Sequence, residues 1–288
     1  MSASVFRPTS CELAIGATEP FKALAIADTH LLFSDGRDNK TKYDVALDRY
    51  GKYVYTNVGR NEVYFLDALL YAKKNDCLLL HAGDLLDFVS PKNMEMTERL
   101  LELSGVDYFM AAGNHEYTHY SGAAPQTDME YQEGRRLVPQ VFKKNNINFD
   151  SRVINGINFI AMETFAKEYE IQFDEAIKKG LPVVLIVHVP PYTEELFRFG
   201  AESENWKKPL DFYGLPDEFS RGFPAKKIAE YHQEQAFMEK LRKEPLLKAI
   251  ISGHVHCHND YYGEFAPGIK QIVVGGAYYG CGSIINFC

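Results

Sequence analysis

Five short apolar runs punctuate this chain, and each breaks off at a side chain able to bind a metal. They read "KALAIADTH" (22–30), "CLLLHAGD" (77–84), "DYFMAAGNHE" (107–116), "PVVLIVHVPP" (182–191) and "LKAIISGHVH" (247–256). Near-continuous apolar runs of this length fit strands buried on both faces. Helical patterns separate them at 61–75, 93–105 and 225–244. In the first, Val63, Leu66, Leu69, Leu70 and Ala72 are read as one inward face. The second stops at Gly105, as a helix C-cap would. Strands alternating with helices predict an α/β fold with a largely parallel core sheet. An Asn-Gly pair within 148–164 signals a hairpin, and the Gly-rich tail from Tyr261 reads as further strands. Both suggest a second sheet. Segments 31–59 and 192–224 show little periodicity and are read as loops.

The polar groups at the strand ends are Asp28 and His30, Asp84, Asn114 and His115, His188, and His254 and His256. In open α/β sheets ligands collect at the carboxyl ends of strands, so the five ends would bring these groups to one rim. Residues i and i+2 of a strand share a face, so Asp28/His30 and His254/His256 are each expected as a pair. Imidazole and carboxylate suit Zn, Fe and Mn. So many donors exceed one tetrahedral site and fit two metals about 3.5–4 Å apart sharing a bridging carboxylate. Singly, each has a plainer reading: Asp84 and Asn114 as turn residues, His188 as a hydrogen-bonded core histidine. The joint pattern outweighs these. It does not reach His81, expected to pack or bond within its strand, or His258, expected to be solvated. His232 and Cys257 are also left outside the site, and His119 is a weaker candidate for a substrate contact.

A formal net charge of −8 disfavours nucleic acid and anionic membrane as partners. A small anionic substrate stays open, because a bound cation reverses the sign of one pocket. Five cysteines without a CxxC pair point to a reducing, cytoplasmic setting. No basic-then-apolar leader and no run of about 18 apolar residues is expected to insert in a membrane.

The ordered motifs "DTH", "GDLLD", "GNHE", "VHVPP" and "GHVH" closely resemble the calcineurin-like metallophosphoesterase superfamily, over Phe21 to about Phe287. The resemblance implies a four-layer α/β/β/α sandwich of the metallo-dependent phosphatase type. It implies two divalent ions (Mn, Fe or Zn), one held by Asp28, His30 and His256, the other by Asn114, His188 and His254, with Asp84 between them. His115 matches a histidine that stabilises the transition state or protonates the leaving oxygen, and Asp87 an aspartate that pairs with it. The implied activity is hydrolysis of a phosphomonoester or phosphodiester by a metal-bound hydroxide. The alternatives are an inactive metal-binding scaffold of this fold and, less well matched, a zinc amidohydrolase, whose HxH precedes the other ligands. Phe88 stands where phosphoprotein phosphatases carry Arg, and Asp87 where purple acid phosphatases carry Tyr. Nucleotidases of the family usually add a large C-terminal domain, whereas this sequence ends soon after the last motif.

The expected organisation is one domain over 1–288, with a candidate substrate-recognition insertion at 192–224. Its aromatics, Trp206 and Phe212 foremost, would face a small and possibly nucleotide-like phosphoester, or else fill core. Arg198, Lys207, Lys208 and Arg221 are its candidate contacts for an anion. Oligomeric state is left open.

Overall fold

The computed structural model describes residues 6–56, 61–119, 128–204, 212–216 and 225–288. The first apolar run forms β2 (Phe21–Ile26), after a short β1 (Thr9–Leu13). Helices α1 (Lys40–Thr56) and α2 (Asn61–Lys74) lead to β3 (Leu78–Ala82). Helix α3 (Pro91–Ser104) leads to β4 (Tyr108–Ala111). After α4 (Asp128–Leu137) come β5 (Phe149–Ile154) and β6 (Ile157–Met162), the hairpin signalled by Asn-Gly. Asn155 (φ 44°) and Gly156 (φ 80°) both take the left-handed conformation such a turn needs. The chain continues through α5 (Lys167–Ile177), β7 (Val183–Val187), α6 (Glu194–Ser203), α7 (Ala225–Lys243) and β8 (Leu247–Ser252). It ends in β9 (Tyr261–Ala266), β10 (Ile269–Val273) and β11 (Ser283–Phe287).

Two mixed sheets result, ordered β1-β11-β2-β3-β4 and β5-β6-β7-β8-β10-β9. In the first, β2, β3 and β4 run parallel; in the second, β6, β7, β8 and β10 do. The tail is divided between them, with β11 beside β2 and β9–β10 beside β8. The period-two alternation of each strand makes three cores. Ala23, Ala25, Leu80 and Phe109 meet Phe159, Val184, Ile186 and Ile251 between the sheets. Leu24, Ile26 and Leu79 turn outward onto Phe65, Leu69 and Leu101 of the first helical layer. Ile160, Leu185 and Ile250 turn onto Phe173, Phe237 and Leu241 of the second. Burial on both faces is why the strands read as continuous apolar runs. The fold is the four-layer α/β/β/α sandwich.

Three expectations change. Helix α2 buries Tyr64, Phe65, Ala68, Leu69 and Ala72, whereas Val63, Leu66 and Leu70 are exposed. Leu69 and Ala72 face inward as expected, but the rest of the stripe runs through Tyr64, Phe65 and Ala68, so including Val63, Leu66 and Leu70 rotates the face. The supposed loop 31–59 contains α1, and 192–224 contains α6, capped by Thr193 Oγ1, which accepts from the N–H of Leu196. α1 is rich in charged residues, which blurs its periodicity, whereas α6 is amphipathic but only 10 residues long, with Leu196 and Gly200 buried. By contrast α3 has the predicted stop: Gly105 is left-handed (φ 60°) and Ser90 caps the start.

Candidate metal centre

The polar groups do lie past the ends of β2, β3, β4, β7 and β8, but not in extended backbone. Asp28 (φ 54°), His30 (φ 51°), Asp84 (φ 56°), His254 (φ 72°) and His256 (φ 51°) all adopt the left-handed conformation. Such a conformation in non-glycine residues is costly, and clusters of it mark sites that the surrounding structure holds in place. Loop-to-loop bonds do this here. The N–H of Asp28 donates to Gly83 O (3.0 Å) and that of His30 to Asp84 O (2.9 Å). The amide of Asn61, at the start of α2, donates to His30 O at 2.7 Å. The N–H of His254 donates to the Asp28 carboxylate at 2.9 Å.

The donors gather in two sets sharing Asp84: Asp28, His30, Asp84 and His256, and Asp84, His188 and His254, with ligand atoms within 4.8 Å of one another in each. Asn114 follows β4 beside the second set and lines one cleft with His188. The two histidines of "HVH" therefore separate, His254 to one set and His256 to the other. The expectation of one shared face assumed an extended strand, and the left-handed turns replace it.

Every expected donor except Asn114 is drawn into one of these sets, and their chemistry fits cations. His30 Nε2 lies 3.1 Å from His256 Nε2, and His188 Nε2 lies 3.2 Å from His254 Nδ1. The outer nitrogens of three of these rings are engaged elsewhere. His30 Nδ1 donates to Asp87 (2.8 Å) and His188 Nδ1 to Ala82 O (2.7 Å), while His256 Nδ1 bonds with the Tyr278 hydroxyl (3.0 Å). Such outer bonds fix the rings with their inner nitrogens facing one another, where each can offer a lone pair to a cation once His188 has given up its proton. Asp84 lies 3.1 Å from His188 Nε2 and 3.8 Å from His30 Nε2.

The electrostatics of the metal-free site agree. Burial alone would raise the carboxyls of Asp28 and Asp84, yet the surrounding histidines hold both below the ordinary carboxylate value. Burial would lower His188, but Asp84 outweighs it and pushes the imidazole up to about 10. Burial takes His254 down to about 4.

His115 stands beside the first set, its ring edge-on to that of His30 with centroids 4.7 Å apart. Its Nδ1 donates to Asp87 O at 2.8 Å and lies 3.3 Å from the Asp87 carboxylate, so the predicted pairing forms. Against the effect of burial, Asp84 and Asp87 raise His115 to about 9. His30, Asp87 and His115 also have donor atoms within 4.8 Å of one another. The Arg49 guanidinium already pairs with Asp87, however, and repels a cation from that point.

Four residues that shape the site were not legible as such in the sequence. Glu116, fully buried, accepts from the N–H groups of Asp84 (2.9 Å), Leu86 (3.0 Å) and Gly113 (2.6 Å), binding two ligand turns together. It lay in plain view within "GNHE". Gly113 is equally constrained, since a Cβ there would lie 2.2 Å from Asp84 Oδ1. Tyr278 orients His256 from a turn with no sequence signal, and Arg49 comes from the helix read as loop. Of the histidines set aside, His81 packs buried within β3, and its Nε2 bonds with the Thr29 hydroxyl in the loop after β2 (2.9 Å). His258 is largely exposed, but its Nδ1 pairs with Glu204 at 2.7 Å and its ring stacks on Tyr279. Phe212 is buried with Tyr192, Leu196 and Tyr261, so it fills core. Trp206, Lys207, Lys208 and Arg221 lie outside the described residues.

The profile of the calcineurin-like phosphoesterases matches residues 21–258, most of the chain. The chain belongs to this family. A search of curated protein sequences found no match. Among solved structures, a dimetal phosphatase from Danio rerio is similar at 12% identity over 92% of this chain and 91% of its own, with a TM-score of 0.49. The phosphopantetheinyl hydrolase of Mycobacterium tuberculosis shows 13% identity over 95% and 92%, with a TM-score of 0.38. A 5′-nucleotidase from Candida albicans shows 15% identity over 94% of this chain but 47% of its own, with a TM-score of 0.42.

Proposed function

We propose that this chain is a hydrolase of small phosphoesters that works with two divalent ions, Mn, Fe or Zn. The observation that carries the reading is the pair of donor sets meeting at Asp84, with His115 alongside and not needed as a ligand. Asp28, His30 and His256 would hold one ion, and Asn114, His188 and His254 the other. Ions there supply positive charge against a phosphate and lower the pKa of water. The chain's own groups do the rest. Asp84 ties the two halves, and Asp87 holds His115 by Nδ1, leaving Nε2 to give a proton to the departing oxygen. In the metal-free site Asp84 and Asp87 favour the charged form of His115.

The organic part of the substrate would sit beside the second set. A cleft of about 210 Å³ adjoins Asn114 and His188 and is walled by Tyr131, Glu163, Thr164 and Tyr213. The cleft is more apolar than polar, so it suits an apolar or ring-bearing group that meets a few polar atoms. The unpaired cysteines agree with a reducing, cytoplasmic setting. Among the described residues no helix is long and apolar enough to cross a membrane.

The test is turnover of an aryl phosphate and of a bis-aryl phosphodiester by Mn²⁺-loaded protein. Hydrolysis of either, lost on chelation and restored by metal, supports the reading. Metal binding without turnover of either ester means a scaffold instead.

A further inference from the structure

Asp87 does more than orient His115. Its carboxylate, wholly buried, receives His30 Nδ1 at 2.8 Å, stands 3.3 Å from His115 Nδ1, and is gripped by Nε and Nη2 of Arg49. One carboxylate thus touches a ligand of the first set and the candidate acid together. Its orientation matters to both, and both histidine nitrogens approach Oδ1, which leaves Oδ2 some freedom to swing. A guanidinium fork removes that freedom, because two parallel bonds fix the carboxylate plane. Arg49 is largely buried, with 21% of its side chain exposed, and reaches the site from α1. We propose that Arg49 is a positioning residue of this centre, setting the geometry of His30 and His115 through Asp87. The inference rests on the reading of the site as a dinuclear centre assisted by His115, and it extends the catalytic assembly to a helix that carries none of the motif residues.

A double-mutant cycle of Arg49→Gln and Asp87→Asn, with Arg49→Lys as the conservative variant, tests it. Two readouts are taken: steady-state kinetics of the Mn²⁺-loaded proteins, and long-range ¹H–¹⁵N spectra of the His30 and His115 rings in the metal-free proteins. Arg49→Gln is expected to lower kcat about tenfold, within the range for outer-sphere partners. KM should stay within about twofold, as for loss of an interaction made in the transition state. Arg49→Lys should recover part of the loss, and the resonances of both rings should shift together in Arg49→Gln. In the Asp87→Asn background, Arg49→Gln should add nothing to either readout, since a residue acting through Asp87 is non-additive with it. Additive losses, a raised KM with unchanged kcat, or ring resonances that ignore Arg49→Gln would each overturn the proposal. If the unmutated protein hydrolyses no phosphoester, the functional reading falls and the spectra still decide the role of Arg49. An Arg49→Gln protein that fails to fold leaves the decision to Arg49→Lys. That variant keeps the charge but loses the fork, and wild-type kinetics and ring resonances there would refute positioning by the fork.

Discussion

Replacing Asp87 by Asn keeps size and shape but turns one acceptor oxygen into a donor amide. The site offers that group the His30 Nδ1–H and the Arg49 fork, while His115 Nδ1, already bonded to the Asp87 carbonyl, stands 3.3 Å away. At least one buried N–H then faces another N–H, and an unsatisfied buried donor costs about 1–3 kcal/mol. Arg49 also loses one ion-pair partner. Breaking a fully buried pair costs about 3–5 kcal/mol, but solvent reaches the guanidinium and reduces that share. A total destabilisation on the order of 2–4 kcal/mol follows, read by denaturant unfolding of the metal-free protein. The functional consequence is sharper. His30 loses the bond that turns Nε2 inward, so one of the two ions should bind about 10–100-fold more weakly while the other is little changed. Zn²⁺ competition with a chromophoric chelator resolves the two. Wild-type affinity for both ions, with only kcat reduced, would show that Asp87 serves His115 alone and that the His30 contact is idle.

Other perturbations separate the remaining roles. His115→Ala should lower kcat by about 10²–10⁴ with metal content unchanged; loss of an ion would make His115 a ligand. Glu116→Ala strips the acceptor from three backbone N–H groups and should cost about 3 kcal/mol or more in unfolding free energy, whereas a cost below about 1 kcal/mol would mean those groups find other partners. His188, at about 10, is protonated at pH 7.5 in the metal-free protein and must lose that proton to bind an ion. Calorimetry in buffers of different ionisation enthalpy should therefore show about one proton released per chain at that pH, and metal affinity should rise with pH. No proton release would contradict the charge state assigned to His188.

What could be read in advance, and what could not, follows from range. The donors at the strand ends were legible because strand burial writes a long apolar run and the polar group interrupts it. Their division into two sets was not available from strand periodicity, since His254 and His256 owe it to left-handed turns. Arg49 was hidden because α1 presents mostly polar residues and no clear apolar stripe. Tyr278 was hidden for a different reason: its partner His256 is held by a contact between two loops, which no local pattern records. Glu116 shows the middle case, a residue within a legible motif whose work is done on the backbone of other turns. The buried stripe of α2 was misread because alanine and aromatic positions, not the leucines at 66 and 70, face the sheet.

The central claim is that two cations sit on this one rim and share Asp84. Crystals of Mn²⁺-loaded protein, measured at a wavelength where manganese scatters anomalously, test it directly. The account predicts two anomalous peaks per chain, one among Asp28, His30 and His256, the other among Asn114, His188 and His254, with Asp84 touching both. A single peak, or two that do not share Asp84, would contradict it.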